Sequence, residues 1–212
     1  MTIWQIYTFF HKLFRKGRMR KFELCFAIES KTHILDVGGS PFNWSFLSVA
    51  PDLTILNLEI PDQRGGDFKW IIGDGRNLPF KAGSFDVVYS NSVIEHLGTL
   101  ENQRRFAVEM QRVGQRYYIQ TPNKWFPIEP HFITPIIHWL PFRIQIILLR
   151  NFTLWGVLTR PTQQQCYNFI KEIRLLDERE LQDLFPDANI LKERLFGLVK
   201  SLIAVRREVF PK

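Results

Sequence analysis

Two cysteines in 212 residues are too few for a disulfide-framed fold, and Cys25 and Cys166 stand in no ligand-type spacing. They suit a reducing compartment and give no sign of a zinc site. A long unbroken apolar run is also missing. The most apolar stretch, Phe132 to Leu149, is interrupted by Pro135, His138, Pro141 and Arg143, which argues against a membrane span. The N-terminus lacks the order of a secretory signal, because its aromatic run precedes its basic cluster and no small-residue cleavage site follows. The expectation is a cytoplasmic protein, membrane-peripheral at most. No G-x-G-x-x-G fingerprint occurs, so a nicotinamide dinucleotide is a poor fit. Finally, no acidic residue lies between Met1 and Phe22, where Lys12, Arg15, Lys16, Arg18, Arg20 and Lys21 are found. That arm carries six positive charges of a net +7, leaving the rest of the chain nearly neutral. It suits an anionic surface (membrane, nucleic acid or phosphorylated acceptor) or is simply a solvated helix end.

What is present describes one ordinary globular domain. Hydrophobic residues make up 45% and charged residues 23%, ordinary globular values that argue against disorder. Ile3, Ile6, Tyr7, Phe10 and Phe14 fall at helical spacing and make residues 1–30 a basic amphipathic arm, peripheral to the sheet. Short apolar runs follow at His33–Val37, Leu53–Glu59, Lys69–Asp74, Phe85–Ser90 and Arg116–Gln120. Helical patterns separate them, at Asn43–Ala50, Ser92–Leu97 and Leu100–Val113. Continuous apolar strands alternating with helices indicate a parallel sheet covered on both faces. Residues 123–175 break this rhythm with Pro, Trp and Phe and read as an acceptor-side insertion or lid. Its aromatics (Trp125, Phe126, Phe132, Trp139, Phe142, Phe152, Trp155) suit a lid core, a greasy acceptor channel or a bilayer contact. In residues 176–212, Asp177 caps a helix and two strands, Asn189–Arg194 and Ser201–Arg206, close the edge. The fold class is therefore α/β: a Rossmann-like, doubly wound, mostly parallel seven-stranded sheet with an antiparallel edge, an aromatic insertion and an N-terminal helix.

The chemistry concentrates at strand ends. Ile34-Leu35-Asp36-Val37-Gly38-Gly39-Ser40 ends a strand in an acid and turns at once on small residues, which lets a ligand approach the backbone. Glu59 lies 23 residues beyond Asp36, the length of one strand–helix–strand unit. Both acids then reach the carboxyl edge of neighbouring strands, where open α/β sheets bind ligands. A carboxylate there can accept both hydroxyls of a ribose; otherwise Glu59 is a solvated loop acid. A third segment runs Gly73-Asp74-Gly75-Arg76-Asn77-Leu78-Pro79-Phe80 and continues Ser84-Phe85-Asp86-Val87-Val88.

This third segment closely resembles the ubiquinone/menaquinone-biosynthesis-like branch (methyltransferase type 11) of the class I S-adenosylmethionine-dependent methyltransferases. The resemblance covers about Thr32 to Asn123 and is densest over Ile71–Leu97. It implies S-adenosyl-L-methionine as cofactor. Asp36, Gly38, Gly39 and Ser40 would lie near its methionine part, Glu59 at the ribose, and Asp74 with Gly75 at the adenine. Ser90, Asn91 and Ser92 would line the methyl-transfer mouth. The family has glycine where this chain has Ser40 and Phe42. A sulfonium cation suits carboxylates and aromatic faces, and in-line methyl transfer depends mostly on alignment.

An ordinary hydroxyl acceptor needs a base as well. Candidates are His96 in Ser92-Val93-Ile94-Glu95-His96-Leu97, and Glu129 and His131 in Phe126-Pro127-Ile128-Glu129-Pro130-His131-Phe132. Pro-stiffened charged residues in an apolar loop favour Glu129 and His131 over His96, which packs or caps its helix. The Glu95-His96 pair also resembles the E-x-x-E-H metal motif of small-RNA 2′-O-methylating and quinone O-methylating enzymes, but Ser92 replaces its first Glu. The expected activity is methyl transfer to an oxygen of a small, glycan or lipid-linked acceptor. Alternatives are a catalytically inactive methyltransferase-like scaffold at a membrane, or a nucleic-acid methyltransferase.

Overall fold

The structure is a computed structural model that describes residues 3–59, 68–129 and 134–207. Its strands are β1 (His33–Val37), β2 (Asp52–Asn57), β3 (Lys69–Ile72), β4 (Phe85–Asn91), β5 (Gly114–Pro122), the short β6 (Ile128–Glu129) and β7 (Thr134–Pro135), β8 (Asn189–Leu195) and β9 (Leu198–Arg206). Seven of them form one sheet in the order β3-β2-β1-β4-β5-β9-β8, while β6 and β7 pair separately. β1 runs parallel to β2 and β4, and β2 parallel to β3. The expected Rossmann-like sheet with its antiparallel edge is therefore found. The chain packs as two compact units, one of Met1–Asn91, Phe106–Ile119 and Val205–Lys212, the other of Ser92–Arg105 and Gln120–Ala204.

In the first unit, β1 is buried from Ile34 to Val37 and β2 from Leu53 to Leu56, the continuous burial of strands covered on both faces. Past residue 14, the N-terminal helix α1 (Ile3–Phe26) departs from the expectation of a peripheral arm, while the side chains of Ile3, Ile6, Tyr7, Phe10 and Phe14 lie outside the described residues. Arg18, Met19, Phe22 and Phe26 are buried. The Phe22 ring lies 5.0 Å from Tyr89, 5.4 Å from Tyr118 and 5.9 Å from Trp44. The spacing of 19, 22 and 26 makes one helical stripe, and that stripe is core. Burying one such phenylalanine is worth about 1.5–3 kcal/mol, enough to fix the helix on the sheet. Helix α2 (Pro41–Trp44) is a single turn rather than the expected Asn43–Ala50. Pro41 opens it favourably. Ser48 is instead drawn to Glu23 of α1, its backbone N–H donating at 2.8 Å, and Ala50 precedes a proline, which disfavours helix. Helix α3 (Leu100–Val113), which belongs to this unit from Phe106 onward, matches its expected span.

In the second unit, Ile94–Leu97 is a 3₁₀ turn where an α-helix was expected, stopped by Gly98 at φ +70°. The insertion is mostly helical: α4 (Phe142–Phe152), α5 (Leu154–Thr159) and α6 (Gln163–Glu172). Leu149, Ile137, Cys166 and Ile170 form its small core. Its aromatics are not that core. Phe126 is buried, but Trp125, Trp139, Phe142 and Phe152 are exposed; the Trp155 side chain and Phe132 lie outside the described residues. Helix α7 (Glu178–Leu184) has the expected Asp177 cap, with Glu180 completing a capping box. β8 and β9 join through Phe196-Gly197, both at positive φ (+49° and +82°), the geometry of a tight hairpin turn.

Candidate functional site

Asp36 is the next-to-last residue of β1, opposite Ile55 of β2 and Tyr89 of β4. Its side chain is fully buried. Trp44 Nε1 donates to Oδ2 at 2.7 Å, while Oδ1 is buried with no partner. Burial pushes the carboxyl up to about 7, partly opposed by the Trp44 hydrogen bond. A buried carboxyl with one open oxygen has a half-satisfied environment, which a cationic or hydrogen-bonding ligand would complete. The turn beyond it is built around this group. Gly38 sits at φ +75°, where a side chain is strained, and its N–H donates to Leu56 O at 2.7 Å. A Cβ on Gly39 would lie 1.7 Å from Asp36 Oδ2, so this position admits only glycine while Asp36 keeps its place. Ser40 caps α2 in an extended conformation without a side-chain hydrogen bond. Phe42 is partly exposed, with the Arg15 guanidinium 5.6 Å from its ring centroid.

The tip of β2 is Asn57, not Glu59. Asn57 Nδ2 reaches Gly39 O at 3.4 Å, and Glu59 follows two residues later with an exposed side chain. Asp74 is engaged locally. Its carboxylate accepts from the Arg76 backbone at 2.8 Å and from the guanidinium at 2.5–3.0 Å, and this pairing holds it below the usual carboxylate range. Gly75 is explained by packing, since a Cβ there would meet Phe106 at 2.8 Å and Val37 at 2.9 Å. At the end of β4, Ser90 Oγ donates to Val37 O at 2.9 Å, tying the two strand tips together. Asn91 Oδ1 accepts from the buried Arg18 of α1. Arg18 thus leaves the basic set read from the arm and faces inward. Arg15, Lys16, Arg20 and Lys21 stay at least partly exposed, and the Lys12 side chain lies outside the described residues.

Within the second unit, Ser92 adopts φ +57°, unusual for a residue with a side chain. Its N–H and Oγ both bond Gln120, at 3.0 and 3.1 Å, which holds it there. Glu95 is fully buried and accepts from Thr121 Oγ1 at 3.0 Å. His96 is exposed. The two neighbours therefore face core and surface and do not present one ligand set. Among the described residues no group of three or more His, Cys, Asp and Glu is placed to hold a metal ion. Glu129 is described through its backbone in β6, its side chain lies outside the described residues, and so does His131 altogether. A cavity of about 380 Å³ opens between Trp125 and the start of α7, and none of the expected site residues lines it. Sequence reasoning missed Trp44, Asn57 and Arg18. Only Asn57 carried a readable signal, as the polar residue ending an apolar strand.

A family model described as a methyltransferase domain matches residues 48–116. No curated protein matches in sequence. Among solved structures, the chain resembles magnesium protoporphyrin IX methyltransferase from Synechocystis PCC 6803 with bound SAH, at TM-score 0.58 and 12% identity over 97% of this chain and 88% of that one. It resembles 1,6-didemethyltoxoflavin-N1-methyltransferase from Burkholderia thailandensis at TM-score 0.53 and 13% identity, over 92% and 77% of the two chains. A Rhodobacter sphaeroides structure provisionally named a Zn-dependent alcohol dehydrogenase is similar too, at TM-score 0.55 and 13% identity over 88% of each chain. Likeness at such identity speaks for the fold, which is that of the class I methyltransferases. The methyltransferase-domain match, over residues 48–116, lies on that fold.

Proposed function

We propose that this chain transfers the methyl group of S-adenosylmethionine to an oxygen of a small, glycan or lipid-linked acceptor, as a member of the ubiquinone/menaquinone-biosynthesis-like branch. The observation that carries the reading is Asp36, a buried carboxyl with one unpartnered oxygen beside a turn that admits only glycine. When bound, the cofactor supplies a methyl group activated by a sulfonium sulfur. Its cationic methionine end is the class of partner that Asp36 lacks. A cation near Asp36 favours the ionised carboxylate and offsets the burial that holds it protonated. Gly38, Gly39 and Ser40 leave room for the ligand against the backbone. Glu59 accepts from the ribose hydroxyls, and Asp74, shared with Arg76, accepts from the adenine amino group. Asn91 and Ser92 line the mouth, where Arg18 holds Asn91 and Trp44 holds Asp36. His131 takes the acceptor hydroxyl proton, oriented by Glu129, and the in-line geometry supplies most of the rate.

The small-molecule acceptor draws support from the Burkholderia enzyme, whose structure holds 1,6-didemethyltoxoflavin and S-adenosylhomocysteine. Isothermal calorimetry tests the reading. The folded chain should bind S-adenosylmethionine and S-adenosylhomocysteine in the micromolar range, and Asp36→Asn should weaken both by about 1–3 kcal/mol. Folded protein that binds neither ligand ends the methyl-transfer reading.

A further inference from the structure

Helix α4 is apolar on two faces. Leu149 is fully buried and packs with Ile137, Cys166 and Ile170, which accounts for one of them. On the other, Ile144 and Ile147 are 44% and 56% exposed, and Phe152 at the helix end is 74% exposed. The next helix, α5, adds Val157 and Leu158, each 59% exposed. A soluble helix that makes its own core has no folding reason to carry isoleucines on its water-facing side. At 100° per residue, Ile144, Ile147 and Asn151 share one sector, and Arg143 and Arg150 run along its edge. Both arginines are exposed, as is Arg160 just after α5.

The charge of the whole segment points the same way. From Pro130 to Lys171 there is no Asp or Glu, although the chain has 21 of them. The cations in that stretch are Arg143, Arg150, Arg160 and Lys171. A second copy of the chain is a poor occupant for this face, because a two-fold contact would set the same arginines against each other. Nucleic acid would answer the arginines but leave the branched aliphatic side chains unused. An anionic lipid surface answers both, taking the apolar tips into its interface while the arginines reach the headgroups.

From this complementarity we infer that the α4–α5 face of the insertion is a docking surface for an anionic bilayer. The inference moves the membrane contact away from the N-terminal arm, whose helix is committed to the core through Met19, Phe22 and Phe26 and whose Arg18 is buried. It stands independently of the methyl-transfer reading, since docking needs neither cofactor nor acceptor.

The test is co-sedimentation of the full chain, without cofactor, with vesicles of phosphatidylcholine alone and of phosphatidylcholine mixed with phosphatidylglycerol. The chain should sediment with the anionic vesicles, less at high salt, and only weakly with the neutral ones. Ile144→Ser with Ile147→Ser should lower partitioning about tenfold or more. Arg143→Glu, Arg150→Glu and Arg160→Glu together should lower it roughly a hundredfold, at about fivefold per arginine removed. The arm variant Lys16→Glu, Arg20→Glu, Lys21→Glu should bind as the parent does. Circular dichroism checks each fold, and the arginine variant decides if the isoleucine variant fails to fold. No sedimentation of the parent, parent-like binding by both insertion variants, or loss of binding in the arm variant alone would each overturn the proposal. So would a dimer seen by analytical ultracentrifugation that Ile144→Ser with Ile147→Ser dissociates, since the face would then join two copies.

Discussion

Asp36→Asn should stabilise the ligand-free protein at alkaline pH while weakening its cofactor. In the folded chain, burial raises the Asp36 carboxyl from 3.8 to about 7. In the unfolded chain it titrates near 3.9. Between those values the native state holds a proton that the unfolded state has released, so stability falls as pH rises through that window. At about 1.4 kcal/mol per pH unit, the penalty above pH 7 reaches roughly 2–4 kcal/mol, the upper figure being the full difference. Asparagine cannot ionise, fills the same volume and still accepts from Trp44 Nε1. Urea denaturation of both proteins at pH 5 and pH 8, without ligand, measures the effect. By pH 5 about one unit of that window has passed, so the variant should already lead by roughly 1.5 kcal/mol. At pH 8 the lead should have widened by about a further 2–3 kcal/mol, and the widening should follow one proton. A variant less stable at pH 8, or one whose deficit is the same at both pH values, would refute the argument that Asp36 is protonated in the empty site. The same proton should be released as S-adenosylmethionine binds near neutral pH, which calorimetry in buffers of different ionisation enthalpy detects.

Three further predictions concern separate parts of the chain. Gly39→Ala places a methyl group 1.7 Å from Asp36 Oδ2, and Gly38→Val forces a branched side chain into φ +75°; each should abolish cofactor binding yet leave the far-UV spectrum largely intact. Unchanged affinity in both would put the ligand elsewhere. Gln103→Ala removes a fully buried side chain whose Nε2 donates to Ile94 O at 3.0 Å and Arg174 O at 2.9 Å, and whose Oε1 accepts from Arg174 at 2.6 Å. Urea midpoints should show a loss of about 2–3 kcal/mol, as expected when buried partners go unsatisfied. For turnover on a true acceptor, His131→Ala should lower kcat about 10²-fold or more with cofactor affinity kept, whereas the exposed His96 should tolerate alanine. The reverse pattern would move the base to His96, and loss in both with chelator sensitivity would favour a bound metal.

The strands were legible because each is a short apolar run ended by Gly, Asp, Asn or Pro, and parallel burial needs little more than that. Their ends were less so: β2 stops at Asn57 because Leu58 and Glu59 are already exposed, although the run Leu53–Glu59 reads as one strand. The insertion concealed α4, α5 and α6 behind prolines and a second apolar face that blurs the helical period. One signal was available there. Thr162-Gln163-Gln164-Gln165 has the spacing of a capping box, and Thr162 and Gln165 form one. The arm misled for a related reason. Six cations masked an apolar stripe that continues through Met19, Phe22 and Phe26, and cations on the remaining faces do not prevent a helix from packing on a sheet.

At the site, residues close in sequence were legible and long-range partners were not. Asp36 and the glycine turn follow one another, so a strand–turn pattern exposes them. Trp44 lies eight residues from Asp36 and Arg18 lies 73 from Asn91, distances that only the folded chain closes. Yet the sequence held one local contradiction, an acid inside the run His33–Val37 that otherwise reads as core. Such a residue costs stability unless something uses it, and here the cost is visible as a carboxyl kept near pH 7 with one oxygen open. A ligand that brings positive charge to that oxygen recovers the cost on binding. Selection for the ligand is then enough to keep the acid against the pull of stability, and the asparagine variant separates the two by gaining one as it loses the other.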